Sequence, residues 1–304
     1  MIARALRRVA AGDRLDRREM REVVDAIIAG ADRDLEIAAL LAVLSTRGET
    51  PDEVIGAAEA LRAAALPLPE APPEAIDTCG TGGSGLGTFN ISTLAALAVA
   101  AAGVPVAKHG NRAASGRCGS ADLLESLGVP VESDPQWMAR AVFEVGIGFL
   151  FARRCHPAMA RVAPIRRALG IPTLFNQLGP LSNPMRVRRQ LVGVARRERL
   201  EPTARALVAL GSVSFWVFHS EDARDELSLS APTRVLAWDG HSLEERRLEP
   251  GRFVPAAPLS ALVCGDRGAP RRVAREVLAG TPGPRLDAVA LCAGAGLCVA
   301  GKVA

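Results

Sequence analysis

Only two of the 37 basic residues in this 304-residue chain are lysines, Lys108 and Lys302. In a chain that otherwise uses arginine, a lysine at 108 marks a position suited to a compact point charge rather than a planar fork. Aromatic residues make up 4% and the formal net charge is +4, with basic and acidic residues interspersed. A nucleic-acid surface, which calls for clustered cations, is therefore disfavoured. No apolar run reaches the roughly 18 residues a bilayer span requires, so no membrane partner is expected. The N-terminus carries Arg4, Arg7 and Arg8 and then acidic residues, without the order of a secretory signal, and cytoplasm is the expected compartment. Six cysteines occur without a C-x-x-C pair, which argues against a zinc knuckle or a disulfide framework and for free thiols.

What is present is a hydrophobic fraction of 49%, enough for one large domain or two modest ones. Residues 1–66 read as helices. Asp16 precedes an apolar stripe at helical spacing (Met20, Val23, Val24, Ile27, Ile28), and Thr50-Pro51-Asp52-Glu53 is a capping box opening a helix to about Leu66. The proline-rich stretch 67–75 is the expected linker. From 76 to 304 the texture changes to short apolar runs alternating with helical stretches. Strands are expected at Ile76–Cys79, Val104–Lys108, Ile147–Phe151, Leu191–Val194, Val213–His219 and Arg234–Trp238. Helices are expected from about Ser92, over Ala121–Leu127, from Asp134 and over His156–Leu169. Such alternation predicts an α/β domain with a mainly parallel sheet, whose ligands sit beyond the carboxyl ends of the strands.

Two loops carry the chemistry. Five glycines fall between Gly80 and Gly87, after a strand and before a helix capped by Asn90, Ser92 and Thr93. Glycine lets backbone N–H groups approach an anion closely, and a helix N-terminus adds a favourable dipole. The pattern is neither a Walker loop nor a dinucleotide fingerprint. The second loop, from Lys108 to Ser120, supplies Lys108, Arg112 and Arg117 as charges and Ser115, Gly116, Gly119 and Ser120 as small donors. It suits a polyanion such as pyrophosphate, while His109 and Asn111 could contact an acceptor. Adjacent Asp225-Glu226 offers the hard oxygens that magnesium prefers.

The segments Gly80-Thr-Gly-Gly, Asn90-Ile-Ser-Thr and Lys108-His-Gly-Asn-Arg resemble the signature loops of the anthranilate phosphoribosyltransferases. His156-Pro-Ala-Met, Pro164-Ile-Arg-Arg-Ala-Leu-Gly, Phe175-Asn-Gln-Leu-Gly-Pro-Leu-Ser-Asn-Pro and Asp225-Glu-Leu-Ser extend the match in the same order. The resemblance implies a small all-helical domain that makes a homodimer, with some later helices joining it. A larger α/β domain of the nucleoside phosphorylase and phosphoribosyltransferase type would complete the chain, with the active site in the cleft between the two. It also implies transfer of a phosphoribosyl group from phosphoribosyl pyrophosphate (PRPP) to anthranilate, a step of tryptophan biosynthesis, with Mg2+ as cofactor.

By position, the donor would be held by Gly80, Gly83, Ser84, Thr88, Asn90, Ile91, Ser92 and Thr93. The second loop would complete that site with Lys108, His109, Gly110, Asn111, Arg112, Ala113, Ala114, Ser115, Gly116 and Ser120. Gly80, Asn111 and Arg166 match the acceptor positions, Arg166 by pairing with the carboxylate. Ser92, Asp225 and Glu226 match the magnesium positions, and no residue is assigned an acid–base role. The chain departs from the pattern at Ser84, where aspartate is usual, at Gly116, where serine is usual, and at Arg153 and Cys155 beside the expected acceptor pocket. Cys292 and Cys298 stand at usual asparagine and tyrosine positions, and Ala304 falls short of the family's usual last strand and helix. The competing readings are a transferase for a different aromatic amine, a pyrimidine nucleoside phosphorylase, and a non-catalytic paralogue that binds nucleic acid or a protein partner.

Overall fold

The computed structural model describes residues 1–30, 33–82, 85–113, 118–223, 225–264 and 269–303. Four helices come first: α1 (Ile2–Ala10), α2 (Arg17–Ala29), α3 (Asp34–Arg47) and α4 (Pro51–Ala63). The capping boxes of Asp16 with Glu19 and of Thr50 with Glu53 start α2 and α4 as the sequence predicts. Helix α4 stops at Ala63, three residues before the expected end, ahead of the prolines that cannot continue it. Gly56 faces the backbone of α2, where a Cβ would overlap the Arg17 carbonyl oxygen, so α2 and α4 pack at a distance only glycine permits. Glu53 is wholly buried. It accepts from Thr50 N–H at 2.8 Å and Leu15 N–H at 3.0 Å and pairs with Arg47, so one carboxylate ties three chain segments.

The remaining elements alternate: β1 (Ile76–Gly80), α5 (Ile91–Ala101), β2 (Val106–Gly110), α6 (Ser120–Ser126), α7 (Pro135–Glu144), β3 (Ile147–Phe151), α8 (Ala152–Cys155), α9 (Ala163–Leu169), α10 (Leu174–Leu181) and β4 (Arg189–Gly193). After them come α11 (Leu200–Ala209), β5 (Ser214–Ser220), β6 (Thr233–Trp238), β7 (Leu243–Leu248), α12 (Ala269–Leu278) and α13 (Pro284–Ala300). The sheet runs β3-β2-β1-β4-β5-β6-β7, parallel from β3 through β5 and antiparallel at β6 and β7. The structure departs from the sequence reading in detail. The helix expected over His156–Leu169 is a 3-10 turn at Pro157–Ala160 followed by α9, because Pro164 has no N–H and is tolerated only in a first turn. Strand β7 escaped the sequence reading because Leu-Glu-Glu-Arg-Arg-Leu is charged and exposed, as suits a sheet edge.

The core has two principal parts, one on each face of the sheet. One joins the apolar faces of α1–α4 to Ile165, Leu174, Leu178 and Leu207 of α9–α11 and to Val192, Phe215 and Val217 of the sheet. The other packs Leu94 and Val99 of α5 and Val289 and Val299 of α13 against Ile76, Val106 and Leu191. No helix among the described residues is long and apolar enough to cross a membrane.

Candidate active site

The carboxyl ends of β1, β2, β3 and β5 open on one side of the sheet, where a parallel α/β fold places its ligands. The loops that leave them, together with α9 and α10, enclose a cleft of about 560 Å³. Its floor is built by close approach. A Cβ at Gly193 would overlap the Asp225 carbonyl, and one at Gly80 would stand 3.2 Å from Asp225 Oδ2. These two glycines, at the ends of neighbouring strands, make room for the turn that carries Asp225 and Glu226.

Asn90 takes the left-handed conformation (φ 61°, ψ 50°), which asparagine tolerates better than most residues. Its Nδ2 donates to the Cys118 carbonyl at 3.1 Å, and Thr78 Oγ1 donates to the Ser92 carbonyl at 2.9 Å. The two loops are thus tied to each other and to the sheet. Lys108 is buried, with its ammonium donating to the Thr78 carbonyl, so it is no surface lysine. Glu226 has its carboxyl pushed up to about 8, first by burial and then by the neighbouring Asp225, against the opposing pull of Lys108.

Of the residues assigned by sequence, Gly80, Thr88, Asn90, Ser92, Lys108, His109, Gly110, Asn111 and Ala113 line this cleft. So do Ser120, Arg166, Asp225 and Glu226. Arg112 reaches it too, but its guanidinium is engaged by Asp122 (3.1 Å), Glu125 (2.7 Å) and Glu132 (2.9 Å). Ile91 and Thr93 are buried and do not line it. Gly83, Ser84, Ala114, Ser115 and Gly116 lie outside the described residues.

The sequence reading assigns no role to Asp77, His156, Phe175 or Asn176, unlike His109. Asp77 is wholly buried; its Oδ1 accepts from His109 N–H at 3.2 Å and its Oδ2 from Asn183 Nδ2 at 2.9 Å. Burial pushes its carboxyl up to about 6 despite the cation of Lys108. His109 hydrogen-bonds through Nδ1 to the Gly179 carbonyl at 3.0 Å, and its ring centroid lies 5.1 Å from that of His156. Burial lowers His109 to about 3 and His156 to about 4, so both rings are neutral at pH 7. Phe175 and Asn176 line the cleft beside Arg166, whose guanidinium lies 6.0 Å from the Phe175 ring centroid. Asn176 stands within the quoted Phe175-Asn-Gln motif, and Asp77 is an acidic residue inside an apolar strand three positions before Gly80; those are the local signals for them.

A family model described as "Glycosyl transferase family, helical bundle domain" matches residues 3–65, and one described as "Glycosyl transferase family, a/b domain" matches residues 72–304. The anthranilate phosphoribosyltransferase of Rhodopseudomonas palustris (strain HaA2) is 46% identical over 97% of this chain and 87% of its own length. The chain belongs to the anthranilate phosphoribosyltransferase family. The crystal structure of the family member from Thermus thermophilus is 47% identical and superposes with a TM-score of 0.92, covering 98% of this chain and 90% of that one. The Saccharomyces cerevisiae anthranilate phosphoribosyltransferase, solved in complex with PRPP and Mg, shares the fold at a TM-score of 0.87 and 24% identity over 100% of this chain and 89% of that chain.

Proposed function

We propose that this chain transfers the phosphoribosyl group of PRPP to anthranilate, giving N-(5-phosphoribosyl)anthranilate and pyrophosphate in tryptophan biosynthesis. The observation that carries the reading is the juxtaposition in one cleft of anion-holding loops, a carboxylate pair and Arg166. Arg166 forms no ion pair with any carboxylate among the described residues. The loops after β1 and β2 supply N–H groups, and β2 supplies Lys108, for the donor's phosphates. Ser92, Asp225 and Glu226 would hold Mg2+, and their fit is chemical. They offer hard oxygens, and the two adjacent carboxylates repel each other in a way a divalent cation relieves. When bound, the ion supplies positive charge against the pyrophosphate that leaves.

In the reaction the bond from ribose C1 to the pyrophosphate oxygen breaks, and the electron pair departs with pyrophosphate. The anthranilate nitrogen bonds to C1 through its lone pair and then releases one proton. An arylamine is nucleophilic while neutral, so the residues need only position it and exclude water. The neutral state of His109, which lines the cleft, suits that role, since its ring adds no positive charge beside the electron-poor C1.

Arg166 would orient the acceptor by its carboxylate through parallel charge-assisted hydrogen bonds. Arg166→Ala should raise the anthranilate KM by about ten- to a hundredfold, the loss of one to two such bonds, with the PRPP KM unchanged. Steady-state kinetics with each substrate varied in turn reads this, and an unchanged anthranilate KM would mean that the carboxylate is held elsewhere. By the same reading residues 1–66, with α9–α11 packed on them, form the part that makes a homodimer, and the enzyme works in the cytoplasm.

A further inference from the structure

Arg166 carries a positive charge that burial disfavours, and no carboxylate among the described residues balances it. What holds it in place therefore decides which ligands it can take. Two groups do so. The Phe175 ring lies under the guanidinium, and Asn176 Oδ1 accepts from Arg166 Nη2 at 3.2 Å.

The same Asn176 oxygen accepts from Thr173 N–H at 2.9 Å and lies 3.4 Å from the Thr173 hydroxyl, closing the capping box that begins α10. Three donors on one oxygen fix the amide with Oδ1 toward Arg166 and Thr173 and Nδ2 away from them. Nδ2 has no protein partner among the described residues, and Asn176 lines the cleft. A neutral amide here is consequential. An aspartate would satisfy Thr173 equally well, but its charge would neutralise the guanidinium that an incoming carboxylate needs.

We propose that Asn176 is a positioning and specificity residue for the acceptor, a proposal that rests on the transferase reading above. Through Oδ1 it aims Arg166 without quenching its charge, and through Nδ2 it offers a second donor to the acceptor's carboxylate. The capping box and the carboxylate site are thereby one structure, and the start of α10 cannot move without moving Arg166.

Asn176→Asp separates this role from a merely structural one, because the carboxylate keeps both the capping bond and the bond to Arg166. We expect Asn176→Asp to melt no lower than the wild type and to keep the PRPP KM. The anthranilate KM should rise by at least about tenfold, and the preference for anthranilate over neutral 2-aminobenzamide should shrink by a similar factor. A wild-type anthranilate KM and selectivity in Asn176→Asp would overturn the proposal. Fluorescence titration of anthranilate in the presence of magnesium pyrophosphate keeps it apart from the reaction assignment. Wild-type protein that binds anthranilate without converting it, with binding weakened in Asn176→Asp, would sink the assigned reaction and leave the proposal standing. Equal binding by both proteins would sink the proposal whatever the turnover.

Discussion

Single residues in this cleft are set by burial more than by exposed charge. His109 and His156 refuse protons in the folded chain, being lowered to about 3 and about 4, whereas an unfolded histidine titrates near its ordinary value of 6.5. A group lowered on folding adds stability that is present above the unfolded value and is lost as pH falls through the window between the two. From pH 7 to pH 5 each ring should cost up to about 2 kcal/mol. Asp77, raised to about 6, works in the opposite sense: its contribution is full below the unfolded value and is lost as pH rises through 6. Over the same acidification it returns about 1 kcal/mol. Glu226, raised to about 8, acts in the same sense as Asp77 and offsets much of the histidine cost, so the test is a difference between proteins. Between pH 7 and pH 5 stability should fall less steeply towards acid in His156→Gln than in the wild type, by up to about 2 kcal/mol, read by urea unfolding at pH 7, 6 and 5. A slope as steep in that variant would show that His156 titrates normally. Asp225→Asn combined with Glu226→Gln should abolish magnesium-dependent turnover while leaving the thermal midpoint no lower, since neutral amides replace a carboxyl pair that burial and mutual repulsion keep from ionising fully. Full activity in that double variant would contradict the metal assignment.

At this scale the sequence was legible where a residue's chemistry is local. Lys108, Asn90, Arg166 and the Asp225-Glu226 pair all line one cleft. Where meaning depends on a distant partner the sequence was mute. The bonds of Asp77 to His109 and to Asn183 span 32 and 106 positions. Arg112 reads from sequence as a phosphate ligand, yet three carboxylates take its guanidinium; helix α6 was legible, but not that it and the turn after it bring Asp122, Glu125 and Glu132 back onto Arg112.

The elements are held by close backbone approaches and by caps. Gly56 lets α2 rest on α4, and Gly148 does the same for β3 against α7, where a Cβ would overlap the Met138 carbonyl oxygen. Gly56→Ala should therefore destabilise by about 1–3 kcal/mol, as overpacked sites do, although alanine is the better helix former. A thermal melt checks this, and an unchanged or higher midpoint would mean that the two helices separate freely. Helix starts were legible because their signals are local, as at Asp16, Thr50 and Asp134. The parallel strands were legible as short apolar runs, although β2 sits two residues later than expected, at Val106–Gly110. Strand β7 and helix α10 were not, one being charged at its four central positions and the other carrying Pro180 within it.

Across the whole molecule the packing joins what the chain separates. Helices α9, α10 and α11, far along the sequence, share a core with α1–α4, and α9 and α10 also present Arg166, Phe175 and Asn176 to the cleft. In the proposed reading Arg166 and Asn176 hold the acceptor's carboxylate from helices that pack with the first bundle, and the loops of the sheet hold the donor. That arrangement leads to the central claim, that two substrates meet between these parts. The direct measurement mixes the protein with PRPP, magnesium and anthranilate, following anthranilate fluorescence and released pyrophosphate together, with a parallel sample lacking magnesium. The account predicts magnesium-dependent loss of anthranilate with one pyrophosphate released for each anthranilate consumed. Anthranilate that stays unconsumed while PRPP binds would contradict it and point to another amine as acceptor.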